Sequence, residues 1–286
     1  MRKVLQKILH DRVCSFVYDV KKEDWMLERK KQLLKKRDAE IVKCQAKGNI
    51  IQKKKIHQQT VVDYVVHYEF FIRQSGWMYV EEEIEMRQAL FENGELVKDE
   101  VVSANMEMNV PAKNNEREIG EPVRYQYDRL AAVRYAETWW NDYNPAFKKF
   151  AVDCTNFISQ CLYAGGIPMT GYPNRIKGWW MKNNQWSHSW AVAHSFRWHL
   201  SGSRTGIQTI EKKSPDELFL GDVICYDFQG DGRFDHTTIV VAKDRKGMPL
   251  VNAHTSNSRM RYWSYEDSTA YTPSIQYKFF HIIDRH

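Results

Sequence analysis

The sequence predicts an α+β protein built from two domains, and three patterns support this. Residues 1–57 are rich in charge and carry a seven-residue apolar repeat, which is typical of a helix. Residues 60–104 are rich in β-branched and aromatic residues between turn signals, which indicates antiparallel strands. From about residue 123 onward, a helical apolar stripe precedes further strand-like runs, which indicates a second domain of ordinary size.

Composition narrows the class of protein. The chain has 286 residues, of which 43% are hydrophobic and 27% charged, as in a soluble globular protein. The net charge of +6 is concentrated in the runs ERKKQLLKKRDAE and QKKKIHQQ, which we interpret as solvated surface. No basic motif interleaved with aromatic residues is present, so we expect no nucleic-acid partner.

The location of the protein can also be predicted. No run of eighteen apolar residues occurs, so we expect no transmembrane segment. The start, MRKVLQKILHDRVCSF, lacks an uninterrupted apolar core and a cleavage site, so it is a poor secretion signal. Five cysteines suggest no disulfide framework. We therefore expect a cytoplasmic protein; its oligomeric state is not predicted.

The N-terminal domain is predicted to begin with one long helix. Its apolar stripe consists of Val13, Val20, Leu27, Leu34 and Ile41. Polar residues (Asp24, Lys31 and Asp38) stand where a coiled coil needs its second apolar position. We therefore predict that the helix packs on a sheet or on another domain and does not form a coiled coil.

A three-stranded antiparallel meander is predicted to follow this helix. The runs TVVDYVVHYEFFI and WMYVEEEIEM are separated by QSG, and Asn93-Gly94 is a strong hairpin signal. We expect the glutamates of EEEIE to lie on the wet face and edge of the sheet and not to bind metal. Domain 1–104 has no predicted biochemical role, polar residues 105–122 are a predicted linker, and residues 123–286 form the second domain.

The stretch VDCTNFISQ places Cys154 at the first position of a predicted helix. Asp153 is positioned as its N-cap, and Gly165 and Gly166 end it. The helix dipole lowers the pKa of a thiol at this position and favours the thiolate. The unpaired backbone N–H of Cys154 could also point at a developing oxyanion. Cys154 is therefore a candidate nucleophile.

A small buried thiol is the alternative interpretation, and it is the one we favour for Cys161 and Cys225. A nucleophilic cysteine needs a base, and His236 opens the strand-like run HTTIVVAKD. Asn252 lies in the next run, LVNAHT, where it could orient the imidazole. The three residues would then form a Cys–His–Asn arrangement.

Several motifs in their order resemble one bacterial family. DCTNFISQCLYAGG, WSHSW, LGDVICYDF, DHTTIVV and VNAHT are similar to the putative amidase domain, a relative of the NlpC-type cell-wall endopeptidases in the papain-like group. The resemblance covers about residues 123–286. It implies a papain-like α+β core in which the helix with the cysteine packs on an antiparallel sheet that carries the histidine.

The resemblance also implies a reaction. Cys154 would attack an amide carbonyl to form a thioester, with His236 as general base and acid and Asn252 as the orienting residue. His254, two residues further on, is a rival for the orienting role. The implied substrate is a peptide or peptidoglycan-stem amide, although fold analogy does not establish it.

Three further residues are candidates for substrate contact. Asn144 could supply a second oxyanion donor, or it could simply form a turn. Trp186 and Trp190, in GWWMKNNQWSHSW, could line a substrate groove, or this loop could pack in the core.

Other functions compete with amide hydrolysis. A non-catalytic peptide- or glycan-binding module could keep the same fold, and acyl transfer would use the same residues. The run DFQGDGRFD resembles a calcium loop only weakly, and a zinc site at Cys154 lacks paired ligand motifs. We expect neither a metal nor a cofactor.

Overall fold

The computed structural model describes residues 1–18, 24–102 and 122–286, and the chain divides into two compact units. The first comprises Met1–Ala104 with Ser256–Arg261 and Tyr265–Thr269, and the second comprises Asn105–Thr255, Tyr262–Ser264 and Ala270–His286. No sequence pattern indicated that residues beyond 255 contribute to the first unit. The predicted linker, except for its last residue, lies outside the described residues.

The described chain is α+β, as predicted. Its α-helices are α1 (Arg2–Val17), α2 (Trp25–Lys36), α3 (Arg129–Trp139), α4 (Cys154–Ala164), α5 (His188–Ala191) and α6 (Ala193–Gly202). Its strands are β1 (Ala39–Ile56), β2 (Gln59–Gln74), β3 (Trp77–Glu92), β4 (Glu95–Val101), β5 (Met181–Lys182), β6 (Gln185–Trp186), β7 (Gln208–Lys212), β8 (Val223–Asp227), β9 (His236–Lys243), β10 (Pro249–Ala253), β11 (Ser258–Tyr262) and β12 (Gln276–Ile283). No described helix combines the length and the apolar character needed to cross a membrane.

The prediction of one long N-terminal helix is wrong. Helix α1 ends at Val17, and α2 starts anew because the Asp24 side chain accepts hydrogen bonds from the backbone N–H groups of Met26 and Leu27. Asp38, with a φ of 54°, then turns the chain into β1. The aspartates that interrupt the apolar repeat therefore mark the boundaries of separate elements.

The first unit contains four consecutive antiparallel strands, β1 to β4, where three had been predicted. The predicted strands correspond to β2, β3 and β4. Asn93 and Gly94, with φ of 50° and 90°, form the predicted hairpin between β3 and β4. Alternate side chains of β2 from Val62 to Ile72 are buried and form much of the core of this unit.

The glutamates of EEEIE do not all lie on a wet face, contrary to the prediction. Glu81 is buried, and its carboxylate accepts a hydrogen bond from Lys30 on α2 at 2.6 Å. Lys30 also donates to Glu83 at 2.5 Å and to Asp267 at 3.1 Å. Arg261 donates to Asp267 at 2.8 Å. Because buried carboxylates need compensating charge, these cations explain how acidic residues occupy the interior of the first unit.

The second unit has the strand order β10-β9-β8-β12-β7, and its pairs are antiparallel. Three of its strands confirm the predictions made from LGDVICYDF, HTTIVVAKD and LVNAHT. Helix α4 contacts β9 and β10 through a stripe in which Phe157, Ile158 and Leu162 are fully buried. Gly165 caps the helix, and Gly166 turns the chain away with a φ of 90°, as predicted.

Candidate active site

Cys154 opens α4, and its thiol is almost fully buried, with a relative exposure of 2%. Its Sγ lies 3.8 Å from Thr155 Oγ1 and 4.0 Å from the carbonyl oxygen of Asp235, the residue that precedes β9. Thr155 Oγ1 lies 3.2 Å from Thr237 Oγ1 on β9. The start of α4 therefore packs directly on the start of β9, and Cys154 lies at this junction.

Asp153 occupies the N-cap position, as predicted, but its side chain does not cap the helix. One carboxylate oxygen accepts from the Phe150 N–H at 2.9 Å and from Asn156 Nδ2 at 3.0 Å. The other lies 2.8 Å from His254 Nδ1. The sequence analysis missed this pairing with His254, because 101 residues separate the two partners.

The prediction that the Cys154 N–H is unpaired is wrong. This N–H donates to Thr255 Oγ1 at 3.2 Å, and the N–H of Asp153 donates to the same oxygen at 3.1 Å. Thr255 directly follows His254 in the run VNAHT, and the sequence analysis assigned it no role. Its hydroxyl now satisfies two of the unpaired donors at the start of α4.

The prediction of a lowered pKa at Cys154 is also wrong. Burial raises the pKa of this thiol above its ordinary value. Hydrogen bonds from Thr155, Thr237 and Thr255 act in the opposite direction, but burial dominates. Burial therefore favours the thiol form of Cys154, and the neighbouring threonines favour the thiolate form.

His236 opens β9, as the sequence predicted, and is buried. Its ring packs near those of Tyr226, at a centroid distance of 5.6 Å, and Phe228, at 6.1 Å. The next residue, Thr237, contacts helix α4. The structure brings Cys154 close to the backbone beside His236, and the role of His236 as a base stays a prediction.

Asn252 and His254 lie at the end of β10 and just beyond it, and both are buried. Asn252 Nδ2 donates to Glu137 Oε1 at 2.7 Å on helix α3. His254 Nε2 lies 2.7 Å from the Trp139 carbonyl oxygen, and its ring stacks on Phe157 at 3.9 Å. These contacts hold His254 against the segment that carries Cys154. The orienting role of Asn252 stays a prediction.

The candidate substrate residues lie in three different environments. Asn144 accepts from the Ala146 N–H and donates to Tyr135 Oη, both at 2.9 Å, as a turn-forming residue does. Trp190 is fully buried and donates to Asn156 Oδ1 at 2.8 Å, so its ring packs in the core and lines no open groove. Trp186 is half-buried at the surface.

Two cations flank Trp186. Lys148 Nζ lies 4.4 Å from its ring centroid, and Arg175 Cζ lies 4.8 Å from it. The Trp186 ring also meets that of Phe150 at 4.9 Å, and the Phe150 N–H bonds to Asp153. Trp186 is therefore a substrate candidate on an accessible surface, and that surface adjoins the segment before Cys154.

The glycine-rich loop DFQGDGRFD is held by its own backbone. Asp227 accepts from the N–H groups of Gly230 and Gly232, each at 2.7 Å, and from that of Asp231 at 3.3 Å. These donors occupy the carboxylate that a calcium ion would need. The arrangement is that of a turn between β8 and β9, which positions Asp235 and His236.

Comparison with known proteins shows to which family the chain belongs. The model of the putative amidase domain matches residues 126–280. The uncharacterized protein YhbB of Bacillus subtilis (strain 168) is 52% identical over 270 residues, covering 91% of this chain and 86% of that protein. The uncharacterized protein YjcM of the same strain is 30% identical over 175 residues, covering 58% of this chain and 39% of that protein. No solved structure matches the chain. The chain belongs to the putative amidase domain family.

Proposed function

We propose that the protein is a cysteine-dependent amide hydrolase with Cys154 as its nucleophile and His236 as its general base and acid. The observation that carries this proposal is the junction of α4 and β9, where Cys154 Sγ lies 4.0 Å from the carbonyl of Asp235, next to His236. Membership of the putative amidase domain family supports amide bonds as the target.

The proposed reaction has two stages. The sulfur of Cys154 bonds to the amide carbon while His236 takes the thiol proton and delivers it to the leaving nitrogen. The C–N bond breaks, and a thioester and an amine result. Water then adds to the thioester with His236 as base, and the acid and the thiol are released. Because burial raises the pKa of Cys154, a base that accepts the thiol proton would assist the attack.

The remaining polar residues would act as supports. Asn252 ties β10 to α3 through Glu137, which would hold the end of β10 beside the site. Asp153 and His254 hold the segment before Cys154. The substrate class that we propose is a peptide or peptidoglycan-stem amide. This substrate class rests on the resemblance to cell-wall endopeptidases, and Trp186 is the surface residue that would contact the substrate.

The test is an amide hydrolysis assay on the full chain. Peptide p-nitroanilides and peptidoglycan stem peptides would be incubated with wild-type protein, and the products followed by absorbance and mass spectrometry. We expect Cys154→Ala to abolish turnover and His236→Ala to lower it by about 10²- to 10⁴-fold. Cys161→Ala is the matched control, since this thiol is buried on the same helix but lies away from the site. Equal turnover by wild type and Cys154→Ala would refute the proposal.

A binding module is the second candidate, because the thiol is buried and the Cys154 N–H is already bonded to Thr255. It predicts that stem peptides bind without turnover and that Cys154→Ala binds them equally well. Acyl transfer is separated from hydrolysis by adding glycinamide, which a transferase would convert into a new amide.

A further inference from the structure

The stretch of sequence around Trp186 is strongly basic. From Tyr143 to Ile210 the chain contains seven lysines and arginines and one carboxylate, Asp153. That carboxylate is buried beside His254, so it does not neutralise the exposed cations of this stretch. Because a surface of one charge sign attracts ligands of the opposite sign, this part of the second unit should attract anions.

Four of these cations are exposed and lie over aromatic rings. The distance from the cationic atom to the ring centroid is 4.4 Å for Lys148 and 4.8 Å for Arg175 on Trp186, 3.7 Å for Lys149 on Tyr143, and 5.3 Å for Lys182 on Tyr172. Within the described part of the chain, none of the four forms an ion pair with a carboxylate. An aromatic ring attracts a cation without cancelling its charge, so the positive potential stays available to a ligand. We call Lys148, Lys149, Arg175 and Lys182 the cationic surface.

Arg175 has the geometry of a carboxylate-binding side chain. Its Nε donates to the carbonyl oxygen of Trp186 at 3.1 Å, and its own carbonyl oxygen accepts from the His188 N–H at 2.8 Å. These two bonds fix the position of the residue. A guanidinium has five N–H donors, and among the described residues the four on the Nη atoms of Arg175 have no acceptor. Two parallel N–H groups of this kind match the two oxygens of a carboxylate.

The cationic surface is connected to the segment that carries Cys154. The Trp186 ring contacts that of Phe150 at 4.9 Å, and the Phe150 N–H donates at 2.9 Å to the carboxylate of the residue before Cys154. From the first turn of α4, Asn156 Nδ2 donates to the carbonyl oxygen of Lys148 at 2.9 Å. An anionic group held at Trp186 would therefore lie beside the segment that leads to the candidate nucleophile.

We propose that the cationic surface selects amide substrates that carry a carboxylate close to the bond that is cleaved. Arg175 would bind this carboxylate through two parallel N–H groups, and Lys148 would add a second positive charge at the same tryptophan ring. Both are then specificity residues, and an acidic peptide is the substrate class. The inference rests on the proposed function, because it places the ligand beside Cys154 for attack.

An acidic peptide fits this surface better than a nucleic acid does. Single-stranded nucleic acids bind by stacking their bases on aromatic rings. The Trp186 ring already has two cations over it and an edge contact with Phe150, so a base would have to displace the cations. A carboxylate instead uses those cations where they lie.

The experiment measures peptide binding to the full chain with Cys154→Ala, which would bind a substrate without turning it over. The probes are two hexapeptides with the same uncharged dye, one with two glutamates and the other with glutamines in their place. Fluorescence anisotropy gives the Kd of each at about 150 mM salt, where long-range attraction is screened. Arg175→Gln removes the charge, and Arg175→Lys keeps the charge without the two parallel N–H groups. Lys213→Gln, at an exposed lysine just after β7, controls for the loss of one positive charge.

We expect the glutamate peptide to bind about 10-fold more tightly than the glutamine peptide, because hydrogen bonds between charged groups are stronger than those to a neutral amide. Arg175→Gln should remove most of this preference, Arg175→Lys should keep part of it, and Lys213→Gln should leave it unchanged. Lys148→Gln should lower it about 3-fold and serves as the second variant if circular dichroism shows that Arg175→Gln is unfolded.

Two outcomes would overturn the proposal. One is equal affinity for the two peptides, including no binding of either, or a preference that survives in folded Arg175→Gln. The other is a single-stranded oligonucleotide that binds more tightly than the glutamate peptide and loses its affinity in Arg175→Gln, which would make a nucleic acid the ligand.

Binding does not require amide hydrolysis, so the two proposals can fail separately. If wild type hydrolyses no amide while the preference for the glutamate peptide depends on Arg175, the proposed function fails and the cationic surface remains a binding site for acidic peptides. If wild type hydrolyses both peptides with equal kcat/KM, the protein is a hydrolase and the cationic surface does not select its substrate.

Discussion

His254 and Asp153 form a buried pair in which Nδ1 lies 2.8 Å from Oδ2 and the side chains are 3% and 1% exposed. The other ring nitrogen, Nε2, lies 2.7 Å from the Trp139 carbonyl, which can only accept. The pair links the end of β10 to the residue before Cys154.

Removing the imidazole ring of His254 should destabilise the protein. In His254→Ala the Asp153 carboxylate stays buried and loses its strongest partner, which should lower the free energy of unfolding by about 3–5 kcal/mol. Urea denaturation measures this loss, with the exposed His286→Ala as control. The double variant with Asp153→Asn should lose less than the sum of the single variants, because the two side chains interact directly. Additive losses would show that the pair contributes nothing beyond packing.

Cys154 should react slowly in the free protein at neutral pH. Its burial and raised pKa leave little thiolate, so the rate of labelling by iodoacetamide should rise about tenfold per pH unit between pH 7 and 9. Cys14, the cysteine that is not buried, serves as an internal reference in site-resolved mass spectrometry. Fast labelling of Cys154 that does not change between pH 6 and 8 would instead indicate a preformed thiolate, as the helix dipole alone predicts.

Local patterns predicted much of the fold, because each depends on residues close in the chain. The apolar stripe that ends at Gly165 predicted α4. The strand-like runs before and after His236 predicted β8 to β10. The seven-residue repeat from Val13 to Ile41 led to the wrong prediction of one long helix. Such a repeat does not show that the chain between its apolar residues is one continuous helix. Asp24 caps the start of α2, and Asp38 turns the chain after its end. Aspartate is common at helix boundaries.

The environment of Cys154 could not be predicted, because its partners come from distant parts of the sequence. A helix N-terminus favours a thiolate in water, but burial opposes it, and burial depends on how α4 packs on β9. Likewise, the free N–H of Cys154 was a sound expectation until Thr255, 101 residues away, supplied an acceptor. Nothing in the run VNAHT distinguishes that threonine from an ordinary strand residue.

Asp235, beside His236, should make stability depend on pH. Burial and the charges of Asp227 and Asp231 raise the pKa of its carboxyl to about 6. A group whose pKa is raised on folding stabilises the protein fully below its unfolded pKa, near 4, and loses this contribution as pH rises through 6. Asp235→Asn should therefore gain about 1–2 kcal/mol relative to wild type between pH 4.5 and 8, a value reduced because the side chain is half-exposed.

Urea denaturation at both pH values measures that relative gain. Asp142→Asn, an exposed carboxyl elsewhere in the second unit, is the control and should show no comparable change. A difference between Asp235→Asn and wild type that stays constant from pH 4.5 to 8 would mean that Asp235 titrates as an ordinary exposed carboxyl.

Substitution of Lys30 should lower the free energy of unfolding more than most substitutions in the first unit. Its ammonium lies within 3.1 Å of carboxylate oxygens of Glu81, Glu83 and Asp267. Burial opposes the charge of Lys30, but these carboxylates outweigh it and raise its pKa. Lys30→Met removes this cation and leaves Arg261 to compensate the three carboxylates, which should cost about 3–5 kcal/mol near pH 7.5.

Acidification should reduce that cost. Burial raises the pKa of Glu81 to about 7, so this carboxyl takes up a proton readily once the ammonium is gone, and the repulsion then falls. Urea denaturation at pH 7.5 and 5.0 measures the difference between wild type and Lys30→Met. Lys98→Met is the matched control, because Lys98 pairs with Glu100 in solvent and its loss should cost at most about 0.5 kcal/mol. A cost for Lys30→Met that equals the control, or that grows as pH falls, would contradict a buried charge network at this position.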